Sequence, residues 1–233
     1  MTNHFARLQL HPELVQTVNT LGYTEPTPIQ SAVIPVLMAG QDVTGQAKTG
    51  TGKTAAFALP MLNNLTLGAD HVQALVLAPT RELAMQVAKA IREYGRDLGA
   101  RVLAVYGGAP YPPQIRQLNQ GVDIVVGTPG RLMDLMKRKV LDLSQVDMVV
   151  LDEADEMLSM GFIEDIETIL GATPDVRQTA LFSATLSPQV RRLANGYMHK
   201  PQAITIQSEN MTVANIEQRY SLVNPRDKTA ALT

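Results

Sequence analysis

Apolar residues along the chain follow two periods in turn. After an isolated aromatic, Phe5, they recur at helical spacing from Pro12, with Leu14, Val18 and Leu21 on one face. A polar, proline-bearing turn, Gly22 to Gln30, leads into a second amphipathic helix with Ile29, Val33, Ile34 and Leu37, ending at Gly40. A short apolar segment then breaks into a glycine-rich loop, Asp42 to Thr54, and Lys53 to Leu67 reads as its helix. Beyond it, short apolar strands alternate with helices: strand Ala74 to Ala78, helix Thr80 to Leu98, strand Val102 to Tyr106, helix Pro113 to Gln120, strand Ile124 to Val126 and helix Pro129 to Lys137. Strands at Met148 to Leu151, Thr179 to Phe182 and Ala203 to Ile206 complete the set. Strands buried on both faces and separated by helices predict a three-layer α/β fold with a parallel central sheet and ligands at the strand carboxyl ends. Residues 209–233 are more polar and read as a linker, leaving 1–208 as one domain.

Composition changes the picture mainly by exclusion. At 233 residues, 45% hydrophobic and 18% charged, the chain suits an ordinary soluble domain with a sizeable core. No apolar run is long enough to span a bilayer, and the N-terminus lacks the basic-then-apolar layout of a secretory signal. No membrane partner is expected, and the cytoplasm is the expected location. The absence of cysteine excludes a disulfide framework or thiolate metal site, and His4, His11, His71 and His199 lack ligand spacing. A net charge of −2 exerts no global pull on nucleic acid, so local cations must hold any such partner.

Three segments carry candidate chemistry. In DVTGQAKTGTGKT, Asp42 to Thr54, Gly50 and Gly52 let the backbone turn its N–H groups inward, and a helix starting near Gly52 points its positive end at the same spot. Lys53 would reach the β and γ phosphates of a nucleotide, and the Thr54 hydroxyl would hold magnesium. The general phosphate-loop pattern wants Gly where this chain has Ala47, and the plain alternative is a Gly/Thr-rich turn with an incidental lysine. In MVVLDEADEM the strand Met148 to Leu151 delivers Asp152, suited to a magnesium ion, and Glu153, suited to positioning an attacking water and accepting its proton. The alternative is an acidic first turn of a helix. In LFSATLS, Ser183 and Thr185 stand on the same rim, either to hydrogen-bond Asp155 or to cap a helix at Pro188.

With these segments in order, the chain resembles the DEAD-box ATP-dependent RNA helicases, whose namesake tetrapeptide is Asp152-Glu153-Ala154-Asp155. AKTGTGKT (Ala47, Lys48, Thr49, Gly50, Thr51, Gly52, Lys53, Thr54) is similar to the family's phosphate loop, which accepts Ala first. PTRELA from Pro79, Gly107-Gly108, TPGR from Thr128 and Ser183-Ala184-Thr185 match as well. GYTEPTPIQ resembles the adenine-reading Q motif, with Phe5 at 18 positions before Tyr23. The resemblance covers essentially the whole chain. It implies a RecA-like P-loop domain, ATP and Mg2+ as cofactors, and Lys53, Asp152, Glu153, Asp155, Ser183 and Thr185 in catalysis. It also implies adenine read by Gln30, stacked by Tyr23 and flanked by Phe5. One RNA strand would be held by its sugar-phosphate backbone at Pro79, Thr80, Arg81, Gly107, Gly108, Thr128, Pro129, Gly130 and Arg131. Taken singly, each of these three motifs reads first as a helix cap with a surface arginine. Pro112 and Pro113 fit the family pattern loosely.

The family's second helicase domain, which brings arginines to the γ-phosphate, is expected beyond Asn215 to Thr233, whose sequence resembles the connection into it. The chain is therefore expected to be a fragment, binding nucleotide yet nearly inert as an ATPase, with Arg177, Arg191 and Arg192 as solvated surface residues. Two other readings stand beside the helicase: a single-domain binding module for RNA or protein, and a P-loop ATPase acting on another substrate.

Overall fold

The computed structural model describes residues 4–206 and 223–224. The proposed linker 209–233 therefore lies almost wholly outside the described residues. A 3-10 turn, His4–Leu8, precedes α1 (Pro12–Thr20) and α2 (Pro28–Met38), and the chain then enters β1 (Val43–Gln46). There follow α3 (Lys53–Asn63), β2 (Ala74–Leu77), α4 (Arg81–Tyr94), β3 (Val102–Val105), α5 (Tyr111–Asn119), β4 (Ile124–Gly127) and α6 (Pro129–Lys137). The last elements are β5 (Met148–Leu151), α7 (Ala154–Ser159), α8 (Ile163–Gly171), β6 (Gln178–Ser183), α9 (Pro188–Tyr197) and β7 (Gln202–Thr205).

Among the described residues, seven strands form one sheet in the order β3-β4-β2-β5-β6-β1-β7, and every pairing is parallel. Two cores sandwich it, and the strand period of two sorts residues between them. Val76 and Val150 face the layer of α1 to α4, while Leu75, Leu77, Val149 and Leu151 face the layer of α6 to α9. β1 is short and carries Thr44 and Gly45, yet lies between β6 and β7. A Cβ on Gly45 would sit 2.6 Å from the ring of Phe182 on β6, so the glycine makes room for that ring, which packs on Phe57 of α3 at 5.4 Å.

Some boundaries differ from the sequence pattern for local reasons. α3 stops at Asn63 rather than Leu67, because the Gln73 side chain pairs with both backbone groups of Thr66 and holds that stretch as a loop. α5 starts at Tyr111, with Pro112 and Pro113 absorbed in its first turn, where a missing N–H costs nothing. α7 and α8, which the pattern left unassigned, cover the β5–β6 half of the sheet with Met157, Ile166 and Ile169. Among the described residues no helix is long and apolar enough to cross a membrane.

Candidate active site

The strand order divides the carboxyl rim of the sheet into two neighbourhoods. The adjacent strands β5, β6 and β1 lead to the acidic loop, the Ser183–Thr185 turn and the phosphate loop, and the adjacent strands β2, β4 and β3 lead to the three loops expected at RNA.

In the first neighbourhood the phosphate loop is seated by its own backbone. Ala47 is buried, its N–H donating to Ser183 O at 3.2 Å, and the Gln46 amide donates to Ala184 O at 3.2 Å, so the end of β1 is tied to the Ser183–Thr185 turn. Lys48, Thr49 and Gly50 are exposed, and the Thr51 hydroxyl donates to Lys48 O at 2.8 Å. Gly52 caps α3 at φ +93°, and a Cβ there would meet Gln30 Nε2 at 2.5 Å, so both the conformation and the space demand glycine. Thr54 follows in the first turn of α3, half-buried.

Lys53 is 5% exposed and its ammonium donates to Glu153 Oε1 at 3.0 Å. The Thr49 hydroxyl donates to the same oxygen at 3.3 Å. Glu153 reaches them from a left-handed backbone, φ +54° and ψ +51°, at the N-cap of α7. That conformation is strained for a non-glycine residue by about 1–2 kcal/mol. The turn redirects the chain so that its side chain points back at the phosphate loop.

Asp152 is 2% exposed, and its N–H donates to Leu77 O at 3.0 Å, placing the residue one step past β5. Burial pushes its carboxyl up to about 6 against the opposing charge of Lys53, and its Oδ1 is buried with no hydrogen-bond partner among the described residues. Asp155 behaves oppositely. Its partial burial is outweighed by hydrogen bonds led by that of the Thr185 hydroxyl, which hold the carboxyl below the usual range. Thr185 donates to Asp155 Oδ2 through its N–H at 3.0 Å and its hydroxyl at 2.8 Å, while the Ser183 hydroxyl donates to Thr185 O at 2.6 Å. Capping of α9 falls instead to Ser187, whose hydroxyl accepts from Val190 N.

The expected adenine readers flank the same loop. Gln30 is 1% exposed; its Oε1 accepts from Thr27 N at 2.9 Å and its Nε2 donates to Gly52 O at 3.1 Å. A carboxamide has two donors and two lone pairs, so one of each remains for a base edge. Tyr23 is 39% exposed and meets Tyr94, at the end of α4, edge-on at 6.1 Å with the two hydroxyls 3.4 Å apart. Phe5 is wholly buried in the core beneath. Tyr94 had no signal in the sequence, because only the fold brings α4 to the turn.

In the second neighbourhood Thr80 is the N-cap of α4, accepting from Leu83 N at 3.2 Å, and Pro79 is buried. Arg81 is exposed beside Glu82 at 3.0 Å, near Gly108, and Gly107, Gly108 and Gly130 are exposed. Thr128 precedes Pro129 as the N-cap of α6. Arg131 stands differently. It is 8% exposed, donates to Gln114 Oε1 at 3.2 Å and Ala109 O at 2.9 Å, and lies 4.0 Å over the Tyr111 ring. It joins the glycine loop to α6 from inside. Arg177 is not the solvated residue its sequence context suggests: it is half-buried and donates to Pro174 O at 2.7 Å and Tyr197 O at 3.3 Å, whereas Arg191 and Arg192 are exposed.

A family model described as DEAD/DEAH box helicase matches residues 27–193, a span that takes in both neighbourhoods. The chain belongs to this family. An ATP-dependent RNA helicase DeaD of Mycobacterium tuberculosis is 52% identical over 93% of the chain, and an ATP-dependent RNA helicase CshA of Listeria monocytogenes 49% identical over 98%. The chain spans only 38% and 44% of the lengths of these two relatives. A crystal structure of a DEAD box protein from Methanococcus jannaschii superposes with a TM-score of 0.84, at 40% identity over 98% of this chain and 61% of that one. A hypothetical ATP-dependent RNA helicase from Sulfolobus tokodaii superposes at 0.79, with 42% identity over 84% of this chain and 57% of that one. The fold of this DEAD-box chain is accordingly the RecA-like α/β domain, with an all-parallel sheet.

Proposed function

We propose that this domain is the nucleotide-binding half of an ATP-dependent RNA helicase, binding Mg·ATP on the β5-β6-β1 rim and the backbone of one RNA strand on the β2-β4-β3 rim. The observation that carries the reading is the Lys53–Glu153 pair together with the unpartnered Asp152 Oδ1, at the carboxyl ends of β1 and β5 on either side of β6. An orphaned, buried carboxylate oxygen suits a hard divalent cation, so Asp152, with the Thr54 hydroxyl from the first turn of α3, would hold Mg2+. When bound, the ion neutralises charge on the phosphate oxygens.

The residues of the chain divide the remaining work. The phosphate-loop N–H groups and Lys53 take the β and γ phosphates, which draws Lys53 away from Glu153. Glu153, released, orients the attacking water and accepts its proton. Asp155 fastens the acidic loop to the Ser183–Thr185 turn through Thr185, so a shift of either is felt by the other. Gln30 selects adenine, because guanine would leave its buried amide groups unpaired. RNA is gripped by exposed loop N–H groups, the Arg81 side chain and the starts of α4 and α6, contacts that carry no base code.

Hydrolysis coupled to strand separation requires an arginine from a second domain, worth about 10³ to 10⁵ in rate. The test is ATP turnover, with and without an oligouridylate, by this chain alone and fused to the second domain of a DeaD relative. The chain alone should turn over near background and ignore RNA, and the fusion should be stimulated by RNA. RNA-stimulated turnover by the chain alone would overturn the two-domain mechanism.

A further inference from the structure

We propose that the groove between α4 and α5, beside the free edge of β3, is an accessory site for single-stranded RNA leaving the Arg81, Gly108 and Thr128 loops; this rests on the RNA reading above. The groove encloses about 580 Å³ and opens next to the glycine loop, with Tyr106, Ala109 and Pro110 in its wall. Lys89 and Arg92 are the only charged groups among its described lining residues. Both continue a stripe on α4: Arg81, Met85, Lys89 and Arg92 recur at spacings of four, four and three, and so share one face. At the helical rise, Lys89 lies about 12 Å along the axis from Arg81. Lys89 is 74% exposed, and its 3.7 Å approach to Glu93 is a loose surface pair that leaves the cation available. Met85 is 39% exposed, and with Tyr106 it offers an apolar, partly aromatic surface for bases. A cationic groove with an aromatic platform is the usual design for holding a single strand without sequence preference.

The alternative occupant, an acidic peptide adding a strand to β3, meets an obstacle. Arg92 Nε donates to Val102 O at 3.2 Å and Gln114 Nε2 donates to Tyr106 O at 3.3 Å. These caps occupy the outward carbonyls on either side of Ala104, leaving one rung, too short for a ladder. A guanidinium has further N–H groups for a phosphate while one is so engaged.

The test is photocrosslinking of this chain with 4-thiouridine-substituted oligouridylates of about six and about twelve nucleotides, a short and a long strand within the range of site sizes that single-strand-binding folds span. The short strand should crosslink at the Thr80–Arg81, Gly107–Gly108 and Thr128–Gly130 loops, and the long one should add sites at Met85 or Tyr106. Lys89→Glu should remove the added crosslinks, weaken the long strand about fivefold, leave the short strand within about twofold, and lower the salt slope for the long strand by about 0.7. Crosslinks confined to the loops at both lengths would overturn the groove and leave the RNA reading standing. No crosslink at either length would overturn both. Occupation of the groove by an oligoglutamate peptide that oligouridylate cannot displace would assign it to a protein and overturn this proposal.

Discussion

The Lys53 ammonium and the Glu153 carboxylate lie 3.0 Å apart and are 5% and 13% exposed, so the phosphate-loop cation and the proposed catalytic base neutralise each other. Each is the other's competitor for its working partner. In our account phosphate takes Lys53 and so frees Glu153, which makes the base available only once substrate is present.

Glu153→Gln removes that competition and leaves buried Lys53 without its hydrogen-bonded counter-charge, Asp152 being the opposing charge that remains. The free protein should lose stability, since an unpaired buried charge is costly, while ADP should bind about fivefold or more tightly, a gain of about 1 kcal/mol. Turnover by the two-domain fusion should vanish. Calorimetry and thermal melting of the chain, with turnover of the fusion, check all three; weaker ADP binding would contradict the exchange of partners.

Asp152 predicts an unusual pH dependence. A carboxyl raised from its ordinary value to about 6 takes up a proton on folding, so stability is greatest while the group is protonated in both states, declines as pH rises from about 4 to 6, and stays reduced above. The deficit at neutral pH is about 3 kcal/mol as an order of magnitude. Asp152→Asn should therefore raise the metal-free melting temperature at pH 7.5, with the gain disappearing towards pH 4, while Mg2+-dependent nucleotide binding is lost. Denaturant melts across that range without metal are the check, and equal gains at both ends would contradict it.

Arg131 should act on RNA through the loops it ties together. Its burial and its bonds to Gln114 and Ala109 predict that Arg131→Met weakens RNA binding without changing the salt dependence, and that Gln114→Ala reproduces part of the loss. A direct phosphate contact would instead lower the slope of log affinity on log salt by about 0.7. Salt titrations of the two variants in the fusion separate these outcomes.

Gln30→Ala should erase the preference for ADP over GDP. It should also cost the domain about 1–2 kcal/mol, because Thr27 N and Gly52 O each lose a hydrogen-bond partner. Paired calorimetry with the two nucleotides and one denaturant melt test both halves.

The sheet was legible in the sequence because its strands are continuous apolar runs such as Ala74 to Leu77 and Met148 to Leu151, and the phosphate and acidic loops because their residues are contiguous. β1 was harder, since Thr44 and Gly45 dilute the apolar signal and its place is secured by Phe182 on a distant strand. The Lys53–Glu153 pair and the Tyr23–Tyr94 contact span 100 and 71 positions, and no local pattern announces either. Arg131 misled for a related reason. An arginine at a helix start reads as surface until the fold supplies Gln114, Ala109 and the Tyr111 ring around it.

Calorimetric titration of Mg·ADP and Mg·GDP into the unmutated chain and into Lys53→Ala decides whether this loop is an adenine-nucleotide site. One ADP per chain, much weaker GDP, and loss of the ADP signal on substitution are expected. Equal affinities for the two bases, or ADP binding unchanged by Lys53→Ala, would contradict the assignment.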